Sequence, residues 1–124
     1  MKTIETVKFA EGSPKDVVLS FIEALNNEDF KAARNYTSDD LKFIGVLGTR
    51  DGADAYFQDM EKMKLKYDIQ KVFVDQDDVC LFYNITIRGI NIFSSGWYVV
   101  KNGKISSFKV IFDPRPLLDS APAK

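Results

Sequence analysis

Two residue counts limit the chemistry open to this chain: it holds no histidine and one cysteine, Cys80. The commonest general base near neutral pH and the commonest metal ligand are therefore missing. Cys–His and Ser–His–Asp nucleophiles cannot be assembled. A zinc site would have to rest almost entirely on carboxylates, against the nitrogen and sulfur ligands that zinc usually takes. No metal or other cofactor is expected. For proton transfer a carboxylate remains, and Asp39 and Asp40, at the exit of a short helix, are the candidates. Capping and turn formation account for both more simply. Cys80 has no basic neighbour in sequence to lower its pKa, so it reads as an inert thiol.

The elements that must carry these residues follow from periodicity. Ser13-Pro14-Lys15-Asp16 starts a helix, with Ser13 as cap and Pro14 in the first position. Val17, Val18, Phe21, Ile22 and Leu25 then repeat at three- and four-residue spacing as one apolar stripe. Asn26-Asn27-Glu28-Asp29 breaks the pattern. Phe30, Ala33 and Tyr36 continue it on a short second helix that Asp39 or Asp40 would close. An extended run over 41–46 leads to a turn over 48–52. A third helix opens at Ala53, with Ala53, Tyr56, Phe57, Met60 and Met63 set inward. From Leu65 the period changes to two, which predicts four strands over 67–74, 79–88, 91–101 and 104–113. Asn102-Gly103 between alternating runs is a strong hairpin signal. Helix, helix, strand, helix and then a strand meander is an α+β order.

At 124 residues, with 45% hydrophobic and 28% charged residues, the chain fits one globular domain. Lys and Arg number 17 against 18 Asp and Glu. This near-balance, without a basic stripe, gives no footprint for nucleic acid. Nothing in the first 15 residues reads as a signal peptide and no segment could span a bilayer, so a cytoplasmic location is expected.

A two-residue turn at Asn102-Gly103 fixes a register by hand. Lys101 pairs with Lys104, Trp97 with Phe108, Ser95 with Val110 and Phe93 with Phe112. One face then carries Phe93, Ser95, Trp97, Val99, Phe108, Val110 and Phe112 as an aromatic wall. The other carries Ser94, Gly96, Tyr98, Val100, Ile105, Ser107, Lys109 and Ile111. A similar turn at Gly89-Ile90 adds Cys80, Phe82, Asn84 and Thr86 to the wall, and Leu81, Tyr83, Ile85 and Ile87 to the opposite face.

Four fragments in order carry a family resemblance: the helix–break–helix of residues 21–40 with its Tyr36-Thr37-Ser38-Asp39-Asp40 exit, Gly52 ahead of Tyr56-Phe57, Gly103-Lys104-Ile105 with Phe108, and Phe112-Asp113-Pro114. Over residues 13–114 the chain resembles the NTF2-like superfamily, the cone-shaped α+β fold of ketosteroid isomerases and SnoaL-type polyketide cyclases. The resemblance implies three N-terminal helices packed on a curved, mostly antiparallel sheet. It implies a single domain over 1–124, with 1–12 and 115–124 as peripheral tails.

Isomerase chemistry in that family needs a carboxylate base and two donors for the enolate oxygen. The resemblance puts Phe21 where the family has its donor tyrosine, Gly45 where it has the base, and Ser95 where it has the second, protonated aspartate. No catalytic residue is therefore assigned, and histidine-dependent dehydratase chemistry fails too. The leading expectation is a SnoaL-like domain that binds a small, mostly neutral, apolar or aromatic molecule without catalysis. The alternatives are an isomerase or cyclase using a single carboxylate, and an interaction module.

Because helices in this superfamily cover the concave face, the aromatic wall is expected to line the cone. Phe82, Trp97, Phe108 and Phe112 would pack on the ligand. Asn84 and Ser95 would orient it, with the Tyr36 and Tyr56 hydroxyls at the mouth. The opposite face, with Tyr83, Ile85, Ile87, Tyr98, Val100 and Ile111, is too apolar for water and predicts a homodimer through the outer sheet.

Overall fold

In the computed structural model, which describes residues 13–119, helix α1 (Pro14–Asn26) begins at the expected cap. Ser13 Oγ accepts from the Asp16 N–H at 3.4 Å, and Pro14 sits in the first turn, where its missing N–H removes no helix bond. Val17, Val18, Phe21, Ile22 and Leu25 form the buried stripe. Helix α2 (Phe30–Asn35) is capped by Asp29, whose Oδ1 accepts from the Ala32 N–H at 3.1 Å. It ends at Tyr36, and strand β1 (Thr37–Gly45) starts at once. Asp39 and Asp40 thus do not close the helix; they are exposed positions within β1. The expected turn over 48–52 is also corrected. The chain reverses at Val46-Leu47, and β2 (Gly48–Asp51) pairs antiparallel with β1. Gly52, at a φ of 97° that suits glycine, then leads into α3 (Ala53–Met63).

Strands β3 (Lys66–Asp75), β4 (Asp78–Ile87), β5 (Ile90–Lys101) and β6 (Lys104–Phe112) form the meander. The sheet order is β2-β1-β6-β5-β4-β3, with β1 and β6 parallel and the other neighbours antiparallel. The sheet is curved and unclosed with helices packed against it, the α+β cone that the sequence implies. Part of the expected C-terminal tail is instead a short helix, α4 (Arg115–Asp119), that buries Leu117. The remaining tail residues, 1–12 and 120–124, lie outside the described residues.

The register of β6 departs from the expectation at one point. Lys101 pairs with Lys104 and Val100 with Ile105, but Val99 pairs with Ser107. Ser106 is therefore an extra residue, a β-bulge, and its Oγ donates to the Val99 carbonyl at 3.2 Å. Beyond it Tyr98 faces Phe108, Gly96 faces Val110 and Ser94 faces Phe112. Because side chains alternate, a one-residue slip exchanges the two faces of one strand relative to its neighbour. Tyr98, not Trp97, shares a face with Phe108. The second turn falls at Arg88-Gly89, with Ile87 opposite Ile90. That shift preserves parity, so Phe82 and Asn84 stay on the face of Phe93, Ser95 and Trp97.

The inner face and the helices meet in one aromatic group. The Phe21 ring lies 6.0–6.5 Å from those of Tyr56, Phe57, Tyr98 and Phe108. Tyr98 and Phe108 stack at 4.8 Å and 12°. Gly96 lies beneath the Tyr98 side chain: a Cβ there would stand 2.8 Å from Cε1 and 3.0 Å from the hydroxyl oxygen. Tyr98 is 1% exposed and held by its stack on Phe108, so it has nowhere to move. Gly96→Ala should therefore lower stability by about 1–3 kcal/mol, read as a lower urea midpoint. Gly45→Ala, whose Cβ would crowd the half-buried Phe43 ring and meet the Gly48 carbonyl oxygen at 3.4 Å, should cost less.

Candidate functional site

Between α3, the β1–β2 hairpin and the inner face of the sheet lies a cavity of about 610 Å³, within the usual range for small-molecule sites. Phe43, Tyr56, Tyr67, Tyr83 and Phe108 line it, together with the aliphatic surfaces of Met60, Leu65, Ile85 and Val110. Val46, Leu47 and Met63 are exposed lining residues and form part of its rim. Arg50, Lys62 and Arg88 supply cationic lining groups, all exposed. Asp59 is the one carboxylate among the described lining residues. Its Oδ2 accepts from Arg50 Nε at 2.7 Å, an ion pair that ties β2 to α3.

Polarity in the wall comes from tyrosine. Tyr56 on α3 and Tyr67 on β3 lie close enough to influence each other's ionisation, as do Tyr83 on β4 and Tyr98 on β5. The Tyr67 and Tyr83 rings meet edge-on at 5.1 Å and 69°. Tyr67 is held from behind by the last residue of α1. Asn26 Nδ2 donates to the Tyr67 carbonyl at 2.9 Å, and the Tyr67 N–H donates to Asn26 Oδ1 at 2.7 Å. An amide side chain thus stands in for a strand partner at the sheet edge, fixing α1 to β3 where that tyrosine enters the wall. Loss of solvation raises the pKa of all four phenols above the usual 10.0, Tyr83 to about 12.

Of the residues expected in the cone, Tyr56, Phe108 and Phe112 line this cavity. Phe82, Asn84, Ser95 and Trp97 do not, because the Ser106 bulge puts their face outside. Phe82 packs there between Phe73 and Phe93 at 6.1 and 5.9 Å. Ser95 Oγ donates to the Leu81 carbonyl at 3.1 Å and lies 3.6 Å from Cys80 Sγ. Trp97 is 46% exposed, with Lys109 Nζ 4.9 Å from its ring centroid. Tyr36 is the C-cap of α2, packed on the core and outside the cavity lining. The expected outer patch is exchanged in the same way. Tyr83, Ile85, Tyr98 and Val100 are buried inside, Ile87 lines the cavity, and Ile111 alone of the six is exposed on the outer face.

Asp39 lies away from the cavity. Arg34 donates to it at 2.7 Å, which lowers its pKa, and also reaches Asp54 at 3.3 Å. Among the described residues no group of three or more His, Cys, Asp or Glu could hold a metal ion. No described helix is long and apolar enough to cross a membrane.

The SnoaL-like domain profile matches residues 18–108, well over half of the chain. The chain belongs to the SnoaL-like family. A solved NTF2-like protein of unknown function from Cytophaga hutchinsonii is 45% identical, with 95% of this chain and 99% of that one covered and a TM-score of 0.85. An LEH-like epoxide hydrolase of M. tuberculosis is 21% identical, with 86% of each chain covered and a TM-score of 0.74. TerC, co-crystallised with polyporic acid, is 14% identical, with 86% and 95% covered and a TM-score of 0.75. The last two likenesses are of fold. A search among curated proteins gives no match.

This SnoaL-like chain differs from the isomerase pattern at all three positions carried over by resemblance. Phe21 is fully buried among four rings. Gly45 lines the cavity, but a Cβ on it would stand 2.8 Å from Phe43 Cζ. Ser95 points to the outer face. The features missed from sequence are the Tyr67–Tyr83–Tyr98 contribution and the Arg50–Asp59 pair. One signal was available for the first: Ile105 and Phe108 are apolar and three apart, and an unbulged strand cannot bury both on one face.

The four buried phenols give a pH dependence of known sign. In the unfolded chain they ionise near pH 10, while in the fold they keep their protons. Above that pH the unfolded state binds fewer protons, so stability falls as pH rises. Each withheld ionisation should steepen the fall by about 1.4 kcal/mol per pH unit. Urea unfolding between about pH 8 and pH 11, with phenolate absorbance followed in parallel, should show stability dropping above pH 10 and four tyrosines ionising together with unfolding.

Proposed function

We propose that this domain binds a small, neutral, apolar or aromatic molecule in the cone and performs no acid–base step on it. The observation that carries this reading is the cavity wall: rings, aliphatic side chains and phenols, with a single lining carboxylate already paired to Arg50. An isomerase or cyclase working through one carboxylate would have to draw on Asp59. Its Oδ2 is already held by Arg50 Nε at 2.7 Å, and no second carboxylate is among the described lining residues to complete a proton relay.

Neutral aromatic compounds of one to three rings, screened by thermal unfolding, should raise Tm. A ligand at about 100 times its Kd stabilises a fold by about 2.7 kcal/mol. Val110→Trp, which places a large ring in the cavity, should weaken every hit by about tenfold or more while the protein stays folded. Hits that survive this substitution would place binding elsewhere and defeat the proposal.

A second reading concerns the outer face, where Phe73, Phe93, Trp97 and Ile111 are each between 46% and 65% exposed. Such a contiguous apolar surface marks an interface. A second copy is the partner favoured, because the groove beside Trp97 carries both signs of charge: Asp75 and Asp78 at one end and Lys109 across from them. A two-fold arrangement can set one copy's acids against the other's lysine. Sedimentation at micromolar concentration should give a dimer, and Ile111→Glu with Trp97→Glu should give a folded monomer. A wild-type monomer would remove this reading and leave the cavity proposal intact.

A further inference from the structure

Four of the five tyrosines converge from four different elements, α3, β3, β4 and β5, onto one wall region of the cavity. Tyr56 stands near Tyr67, and Tyr83 near Tyr98, close enough for each to influence the other's ionisation. Their mutual electrostatic influence runs across the pairs as well: Tyr83 acts on Tyr56, and Tyr56 and Tyr67 act on Tyr98. Each phenol carries one O–H donor. Three of the four, Tyr56, Tyr67 and Tyr83, border the cavity, each with an O–H proton to give. The surrounding surface of Phe43, Met60, Ile85, Phe108 and Val110 offers that proton no side-chain acceptor of comparable strength.

We propose that this tyrosine cluster is the recognition group of the cavity, selecting neutral ligands that carry a hydrogen-bond acceptor, a carbonyl oxygen above all, over hydrocarbons of the same shape. The inference rests on the cavity-binding reading above and names the ligand class within it. Three properties of the site support a carbonyl over other acceptors. The donors are phenols that keep their protons through the physiological range, so they act as neutral donors rather than as bases. The cationic groups of the cavity, Arg50, Lys62 and Arg88, are all exposed, so an anionic head placed among the tyrosines would be desolvated without a counter-ion. The hydroxyls are also pre-positioned: the Asn26 clasp fixes Tyr67, the stack on Phe108 fixes Tyr98, and Tyr56 is wedged between Phe57 and Phe108 at 5.1 and 5.2 Å. Donors that need no reorganisation discriminate best, because a ligand lacking the acceptor leaves them buried and unpaired. The position that family resemblance gives to a donor tyrosine is Phe21, so these hydroxyls are a different set on different elements.

The test uses matched neutral pairs that differ by one carbonyl: indanone against indane, and fluorenone against fluorene, measured by equilibrium dialysis against the full chain. The ketone should bind about tenfold more tightly than its hydrocarbon. Tyr83→Phe and Tyr56→Phe, which keep the ring and delete one hydroxyl, should each pull that ratio towards unity while leaving hydrocarbon affinity nearly unchanged. Equal affinities in the wild type, or a ratio that neither variant alters, would overturn the proposal. Val110→Trp separates the two levels. Hydrocarbon binding that this substitution abolishes keeps the cavity reading even when the ketone preference is absent. Failure of both members of both pairs to bind would remove the cavity reading and this inference together.

Discussion

The architecture of the site depends on Ser106, a residue with no partner across the sheet. If β5 and β6 paired without interruption from the Asn102-Gly103 turn, Phe108 would stand opposite Trp97 and Tyr98 would face outward. The inserted residue brings Tyr98 across from Phe108, and both then lie inside under Phe21. The bulge is itself satisfied by the Ser106 hydroxyl on the Val99 carbonyl, and Ser107 takes the pairing position beside it. Bulges of this kind twist and bend the strand that carries them. The same feature that assigns the faces thus contributes to the curvature that opens room between sheet and helices.

Once Tyr98 is inside, a sequence of steric and polar requirements follows. Its ring needs a bare backbone beneath it, which Gly96 provides. Its hydroxyl is buried with the rest of the side chain and stands close to Tyr83. Tyr83 needs an edge to pack on, and Tyr67 meets it in the T-shaped geometry that the ring quadrupole favours. Tyr67 lies on the edge strand, where one row of backbone groups has no neighbour, and Asn26 fills that place at this residue. Each contact is modest, on the order of 0.5–1.5 kcal/mol for a ring pair or a neutral hydrogen bond. They share residues, however, so deleting one leaves the next group unsatisfied rather than merely removing a single contact.

The helices, their caps and the meander were legible because each rests on local chemistry: Ser13 and Pro14 for α1, period two after Leu65, Asn-Gly for the last hairpin. The faces were not, because β5 reads almost equally apolar on both sides. Phe93, Trp97 and Val99 alternate with Tyr98 and Val100, and periodicity alone cannot rank them. The deciding information lay in the neighbour, where Ile105-Ser106-Ser107-Phe108 breaks the alternation by one residue. The first turn hid a strand for a different reason. Gly48-Thr49-Arg50-Asp51 has turn-like composition, yet it pairs with β1 because the reversal is made by Val46-Leu47, two apolar residues exposed beside the cavity. Phe108 and Phe112 line the cavity despite the wrong wall, since the bulge precedes both and leaves the parity within the rest of β6 unchanged, while Tyr56 lies on α3 and does not depend on that register.

The loss of acid–base groups and the presence of the phenol cluster are connected through Phe43. Its ring covers Gly45, the position at which a carboxylate would have to project, so closely that even a Cβ would overlap it. The same ring packs at 5.2 Å on Tyr56 and 5.0 Å on Phe108, holding the helix-borne phenol against the sheet. A carboxylate at position 45 would therefore have to displace the ring that orders part of the tyrosine wall. It would also stand in a region whose neighbouring phenols resist ionisation and whose cations are exposed. The interior is consistent in this respect: its polar groups are neutral donors, and its one lining carboxylate is paired on the part-exposed surface between β2 and α3. That arrangement is what supports the proposed reading, an uncharged molecule held by shape and hydrogen bonding.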